Sequence, residues 1–322
     1  MLEGRGDIRA VKYRACAKIN LALGILGKRT DGCHEVGTLM VPISLADVVT
    51  VEPQAQGLSL YCPGLPELRQ EDNLAYKAAV SLLSGKGRAH GFAISVEKAI
   101  PPGSGLGGGS SDAAAVLLAV SELLEGRDKP DTLHLMETAA RLGSDVPFFI
   151  GANARPPVWE GAVCTGRGER VHPVQGGSFW VLLGLSDVPI STKSAYSKWD
   201  DMNPHVPEFA TSLDYAGALA ADPRLRATVE GFASGDLERL GRCVFNDFEK
   251  SVYPLYPVLS IIKENLLLSG AFGAALTGSG SAVYGICGSR GHAEEVRDKF
   301  LELSGDLPVS QVVIARTGVK AG

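Results

Sequence analysis

The amino-acid sequence predicts an α+β protein built from two units, and three observations carry that reading. A strand-like run, GFAISVEKAI, feeds a glycine-rich loop and then an alanine-rich helix. The last third alternates strand, helix and strand patterns in an order that suits helices on one face of an antiparallel sheet. Between these stretches, residues 151 to 177 are rich in glycine and proline, which places a border there and divides the chain into residues 1–172 and 173–322. At 322 residues the chain is long enough for a core in each unit.

The elements follow in order. ACAKINLALGIL alternates so that Ile19, Leu21, Leu23 and Ile25 share one face of a strand and Lys18 and Asn20 the other. KRTDGCHEVGT carries turn chemistry at Asp31-Gly32, and DVVTVEP resumes a strand pattern. NLAYKAAVSLL sets Leu74, Ala78 and Leu82 at helical spacing behind Asn73 as N-cap, and Phe92, Ile94 and Val96 alternate along the next strand. After the glycine loop, Ser110 or Ser111 caps a helix with Asp112 in its first turn and its stop at Gly126. A further helix runs from about Asp131 to Leu142. Beyond the border, SFWVLLGL reads as a strand and residues 190 to 235 as largely helical. AFGAALTGSGSAVYGIC gives two strands around Gly-Ser-Gly-Ser, HAEEVRDKFLEL a helix and VSQVVIART a last strand.

Composition excludes several classes. A hydrophobic fraction of 45% and a charged fraction of 21% are those of a soluble globular protein. No apolar run approaches the roughly 18 residues of a membrane helix. The start, MLEGRGDIRAVKYR, lacks the apolar core of a secretory signal, and the six cysteines form no C-x-x-C pair. A reducing cytoplasm is the expected location. The net charge of -5 gives no general attraction to nucleic acid, so any phosphate binding must come from local geometry. The expected partners are small-molecule substrates, without nucleic acid or membrane, for a monomer or homodimer.

That geometry is concentrated in PPGSGLGGGSSDAAAVLL, which places five glycines and three serines between Gly103 and Ser111. Glycines permit positive φ and remove side chains, so successive N–H groups can converge on an anion. The following helix adds its unpaired amides and a dipole equivalent to roughly half a positive charge. A flexible linker is the plain alternative, but a linker has no reason to hold Leu106 centrally or to run into a capped apolar helix. The literal G-x-G-x-x-G at Gly103, Gly105 and Gly108 is a weak sign of a dinucleotide fold. There the helix opens within the motif, whereas here bare loop is expected to continue to Ser111, and no acidic residue ends a second strand about twenty residues on. A Walker A loop requires a Lys-Ser or Lys-Thr that is missing, and a protein-kinase loop requires HRD and DFG elements that do not occur; Asp247-Phe248-Glu249 is only a near miss.

PPGSGLGGGSSDAA closely resembles the central motif of the galactokinase, homoserine kinase, mevalonate kinase and phosphomevalonate kinase superfamily. ACAKINLALGILGKRTDGCHE is similar to its first motif and ALTGSGSAVYGIC to its third. More narrowly, AKINLALGILGKRTDGCHEVGTLM, GLGGGSSDAAA, GSDVPFF, GRGE at 166 to 169 and NDFEKSVYPLYP resemble the family of 4-diphosphocytidyl-2-C-methyl-D-erythritol kinases, over nearly the whole chain from about Lys12. The resemblance implies an N-terminal unit like the second domain of ribosomal protein S5 and a ferredoxin-like C-terminal unit with the active site between them. It implies ATP-dependent phosphorylation of the 2-hydroxyl of the methylerythritol unit, with ADP as co-product. Magnesium is expected from ATP chemistry alone, since no carboxylate stands out as its ligand.

Site residues follow from the same resemblance. Taken alone, Lys18 reads as a solvated lysine on an edge strand and Asp145 as a turn aspartate. The resemblance makes Lys18 the catalytic lysine and Asp145 the general base. It assigns Pro101, Pro102, Gly103, Ser104, Gly105, Leu106, Gly107, Gly108, Gly109, Ser110 and Ser111 to the triphosphate. Asn73 and Lys98 match adenine-side contacts, and equally fit an N-cap and a surface lysine. Asn20, His34, Gly278, Ser279 and Gly280 fall on the acceptor side. At Cys33 the family usually has a tyrosine that stacks on cytosine, and cysteine supplies no aromatic face. Tyr196 or Trp199 is the candidate replacement, and simple helix packing explains either equally well. Another kinase of the superfamily, of homoserine or mevalonate type, and a non-catalytic nucleotide-binding regulator are the competing readings.

Overall fold

The structure is a computed structural model that describes residues 10–84, 91–124, 126, 129–305 and 307–318. The start of the chain, residues 1–9, lies outside the described residues. The first half holds β1 (Val11–Arg29), β2 (His34–Gln54), β3 (Leu58–Tyr61), α1 (Leu74–Leu83), β4 (Gly91–Glu97), α2 (Gly108–Leu123), α3 (Thr132–Leu142), α4 (Val146–Ala152), β5 (Gly161–Thr165) and β6 (Arg170–Val174). The second half holds β7 (Trp180–Leu185), α5 (Thr192–Met202), β8 (Glu208–Phe209), α6 (Tyr215–Ala221), α7 (Pro223–Ser234), α8 (Leu237–Cys243), β9 (Phe245–Asn246), α9 (Phe248–Val252), α10 (Pro257–Leu268), β10 (Ala274–Leu276), β11 (Val283–Cys287), α11 (Arg290–Ser304) and β12 (Gln311–Arg316).

Two sheets organise these elements. The first runs β3-β4-β2-β1-β8, with β5 on β2, β6 on β5 and β9 on β1; the second is antiparallel in the order β10-β11-β7-β12. Counted from β7, the second sheet has strand order 2-3-1-4, the ferredoxin-like arrangement expected from the sequence. Its α10 and α11 cover one face through Leu259, Ile262, Val296 and Phe300. A separate cluster of Ile19, Leu21, Leu39, Phe179, Val181 and Tyr284 joins the two sheets into a shared core.

Four expectations need correction. The border at 172/173 cuts β6, which pairs with β5 and so belongs to the first sheet; the chain crosses to the second sheet between Val174 and Trp180. Two short segments of the second half, β8 and β9, also return to pair with β1. The α2 helix opens at Gly108 with Gly107 as its left-handed N-cap (φ 76°), before either serine, and it ends at Leu123 rather than at Gly126. One objection to a dinucleotide fold thereby disappears, but the antiparallel pairing of β4 with β2 excludes a doubly wound parallel sheet. Finally, a register shift between Asn20 and Ala22 breaks the simple alternation of β1. Ile19 and Leu21 therefore pack between the sheets, while Leu23 and Ile25 pack under α5 and α9. Such bulges re-aim side chains beside functional sites, and Lys18 and Asn20 lie between two of them.

Candidate active site

The glycine loop lies where the two sheets meet. Pro101, Pro102, Gly103, Ser104, Gly105, Gly107, Gly108, Gly109 and Ser110 line a cavity of about 300 Å³ whose far wall is Leu65, Leu74, Lys98 and Ile100. Gly108, Gly109 and Ser110 form the first turn of α2, where backbone amides have no partner within the helix. Bareness is required for a second reason as well. Gly105 has φ +79°, and a Cβ there would stand 2.1 Å from the Thr277 carbonyl oxygen, so the loop is pressed against the third glycine-rich segment. A Cβ on Gly107 would stand 2.8 Å from the Phe149 ring.

Three residues expected on the nucleotide, two at the triphosphate and one at the adenine, do not face this cavity. Leu106 is fully buried, and its carbonyl accepts a hydrogen bond from the Lys18 N–H at 3.0 Å. Ser111 is also fully buried, its hydroxyl bonded to Asn153 Nδ2 at 3.1 Å. Asn73 gives its side-chain oxygen to the Ala75 N–H at 2.9 Å as the α1 N-cap, and it is the next residue, Leu74, that reaches the cavity. Lys98 does reach it, but as no surface lysine: its ammonium donates to Asp47 and to Asp112 at 2.7 Å. Asp112 sits beyond the first turn of α2, and burial, with Asp47 close by, pushes its carboxyl up to about 7 despite Lys98. Its Oδ1 is buried without a partner.

Lys18, Asn20 and Asp145 meet at the wall of a second cavity of about 270 Å³, which shares Gly105 and Gly107 with the first. Lys18 is only 2% exposed; its ammonium donates to Asn20 Oδ1 and lies 3.9 Å from the Asp145 carboxylate. Burial pushes Lys18 below the ordinary lysine value of 10.5, and the Asp145 charge opposes that shift only in part. Asp145 occupies the N-cap position of α4 without capping it, which leaves the carboxylate to the cavity. Asn20 is fixed from both sides. Its oxygen accepts from the Gly278 N–H at 2.8 Å, and its amide donates to Thr38 Oγ1 at 2.7 Å.

The same cavity is also lined by Tyr196, Phe248, Gly278 and Ser279. Gly280 is not on it; a Cβ there would meet Ile190 at 2.9 Å. The His34 ring stacks on Tyr196 at 4.3 Å and 15°, and its Nε2 is 2.8 Å from Asp200 Oδ1. Trp199 is buried and meets His34 edge-on, so of the two aromatic candidates only Tyr196 is at the cavity. Cys33 stands on the turn before β2, its N–H bonded to Asp31 at 3.0 Å; burial and Asp31 raise its thiol above the usual range.

Sequence reasoning missed the supports. Glu35 is fully buried and accepts from the N–H groups of Gly166 (3.0 Å) and Leu213 (2.9 Å) and from Arg29 (3.0 Å), tying the GRGE turn to β2. Asn246 donates to the carbonyls of Leu276 (2.9 Å) and Gly278 (2.8 Å), and Glu249 accepts from the Leu276 N–H at 2.9 Å. The NDFEK stretch therefore buttresses the glycine-rich turn that holds Asn20. Arg167 and Ser144, also on the cavity wall, carried no sequence signal beyond their place in GRGE and GSD. Among the described residues, no group of three or more His, Cys, Asp or Glu could hold a metal. No described helix is long and apolar enough to cross a membrane.

A glycine loop opening a helix between an S5-like sheet and a ferredoxin-like sheet, with lysine and aspartate on its flank, defines the class of GHMP kinases. Residues 73–152 match the N-terminal domain of GHMP kinases and residues 228–304 their C-terminal domain. The chain is 37% identical over 92% of its length to a 4-diphosphocytidyl-2-C-methyl-D-erythritol kinase of Symbiobacterium thermophilum, covering 98% of that protein. It is 36% identical over 90% of its length to one of Gloeobacter violaceus, covering 89% of that protein. A crystal structure of 4-(cytidine 5'-diphospho)-2C-methyl-D-erythritol kinase superposes with a TM-score of 0.74 at 30% identity, covering 97% of this chain and 100% of that one. The chain belongs to the 4-diphosphocytidyl-2-C-methyl-D-erythritol kinase family.

Proposed function

We propose that the protein transfers the γ-phosphoryl group of ATP to the 2-hydroxyl of 4-diphosphocytidyl-2-C-methyl-D-erythritol, giving the 2-phosphate and ADP for non-mevalonate isoprenoid precursor synthesis. The observation that carries this reading is the meeting of two cavities at Gly105 and Gly107, with Lys18 and Asp145 at the junction. The cavity along the loop suits the nucleotide. Its phosphates would face the first amides of α2, and Lys98, already bonded to two carboxylates, has one N–H left to offer on the base side. The cavity that holds Asp145 and Tyr196 suits the acceptor, with the reacting hydroxyl at Asp145 and the base toward Tyr196 and His34.

The hydroxyl oxygen attacks the γ-phosphorus, the bond from that phosphorus to the β–γ bridging oxygen breaks, and the hydroxyl proton passes to Asp145. Lys18, 3.9 Å from the Asp145 carboxylate, orients it and offsets charge on the group in flight. Phe149 and Leu106, packed behind the loop, exclude water from the junction. Magnesium takes few protein ligands when phosphates supply the rest, and Ser110, at the mouth of the loop near Gly143, fits as its protein donor. When bound, the ion neutralises phosphate charge. The division of the chain between Val174 and Trp180 separates an ATP-binding unit from a substrate unit. ADP release measured with and without the diphosphocytidyl acceptor tests the reading; release no faster with the acceptor than without it contradicts kinase activity on this substrate.

A further inference from the structure

We propose that Arg167 binds the diphosphate of the acceptor, a role that rests on the acceptor assigned above. Among the described residues, the charged side chains on the wall of the 270 Å³ cavity are Lys18, Asp145 and Arg167. Lys18 is buried, donates to Asn20 and faces Asp145, so its charge is spent at the reacting end. Arg167 is held loosely: Nη2 lies 3.4 Å from the Ala140 carbonyl, Nε lies 3.8 Å from Glu169, and the side chain is 41% exposed.

Its position along the cavity decides what it would meet. The next residue, Gly168, lies against the reacting end, since a Cβ there would stand 3.8 Å from Asp145 Oδ1. The guanidinium charge also acts on the Cys33 thiol, on the turn before β2. Arg167 therefore lies next to the reacting end on the wall of the acceptor cavity and acts on the turn that carries Cys33, and an acceptor with a base at one end and a reacting hydroxyl at the other carries its two phosphates between them. A guanidinium pairs with phosphate oxygens through two parallel N–H bonds, which a lysine cannot reproduce. The backbone under it is fixed. The Arg167 N–H donates to Glu169 at 2.7 Å and the Gly166 N–H to the buried Glu35 at 3.0 Å, so the turn presents the side chain to the cavity from a rigid base.

The test measures binding of cytidine 5'-diphosphate and of cytidine to the full chain, with the nucleotide cavity filled by a non-hydrolysable ATP analogue. The proteins compared are wild type, Arg167→Met and Arg167→Lys. Wild type should bind the diphosphate more tightly than the nucleoside. Arg167→Met should lose about tenfold to a hundredfold in affinity for the diphosphate, the scale of a charge-assisted hydrogen bond, and keep its affinity for cytidine. Arg167→Lys should recover part of the loss. In turnover, the KM for the acceptor should rise in Arg167→Met while the KM for ATP stays within about twofold. Equal diphosphate affinity in wild type and Arg167→Met, or an equal loss for diphosphate and nucleoside, overturns the proposal. So does a wild type that does not favour the diphosphate. A protein that prefers the diphosphate through Arg167 yet transfers no phosphate contradicts the kinase reading alone.

Discussion

Replacing Lys18 by methionine separates what this side chain does for the reaction from what it does for the fold. Lys18 is 2% exposed, and among the described residues its one carboxylate partner, Asp145, lies 3.9 Å away with a third of its side chain in solvent. At that distance the attraction is about 4 kcal/mol in an effective dielectric of about 20, while burying an ammonium costs several kcal/mol. The lowered value of Lys18 says that burial wins. Methionine has a similar length and no charge, and Asn20 Oδ1 keeps the Gly278 N–H. Lys18→Met should therefore leave Tm unchanged or raise it by a few degrees, at about 2–4 °C per kcal/mol for a domain of ordinary size. Turnover should fall by about 10² to 10³-fold, the usual loss when a charge aimed at the transition state is removed. A second signature follows from the sign of the shift. The folded value lies below the unfolded 10.5, so the buried charge costs stability at lower pH, and stability recovers as pH rises from the folded value toward 10.5. Thermal melting across alkaline pH should show that recovery in wild type and not in Lys18→Met. A variant that melts well below wild type at neutral pH, or one that keeps its turnover, would refute this reasoning.

Three further outcomes follow. Asp145→Asn should lower kcat by about 10² to 10⁴-fold and leave the KM for ATP nearly unchanged, because the carboxylate caps no helix and faces the acceptor cavity; steady-state kinetics with each substrate varied checks both. Gly105→Ala should destabilise by more than the roughly 1–2 kcal/mol of a left-handed residue, since its Cβ also meets the Thr277 carbonyl, and should raise the KM for ATP; melting and kinetics read both effects. With Asp112 raised from 3.8 to about 7, the folded chain holds a proton that the unfolded chain releases, so stability should fall as pH rises from about 4 to 7. The Asp112→Asn variant should flatten the dependence of Tm on pH in that window, and parallel slopes contradict the burial account.

The elements of the fold were readable wherever one residue pattern fixed them. Asn73 caps α1 as expected, α3 begins within one residue of the expected Asp131, and the C-terminal hairpin, helix and strand fall where periodicity puts them. What failed depended on partners far along the chain. The α2 start moved to Gly108 because Gly107 takes a left-handed φ against Phe149, which no local signal reports. Leu106 and Ser111 looked like loop residues for an anion, but backbone geometry turns them toward Lys18 and Asn153. Glu35 and Asn246 act through hydrogen bonds to residues thirty or more positions away, so neither could be assigned from spacing. The glycines were read as room for phosphate; at Gly105 and Gly107 they are equally room for protein.

The central claim is that the cavity running from Asp145 to Tyr196 selects a diphosphocytidyl alcohol. The most direct test is kcat/KM of the purified protein for 4-diphosphocytidyl-2-C-methyl-D-erythritol, homoserine and mevalonate under one set of conditions. The claim predicts phosphorylation of the cytidylyl acceptor with a kcat/KM at least about a hundredfold above either competitor, the scale set by one well-bound polar group. Comparable or greater efficiency with homoserine or mevalonate would contradict it.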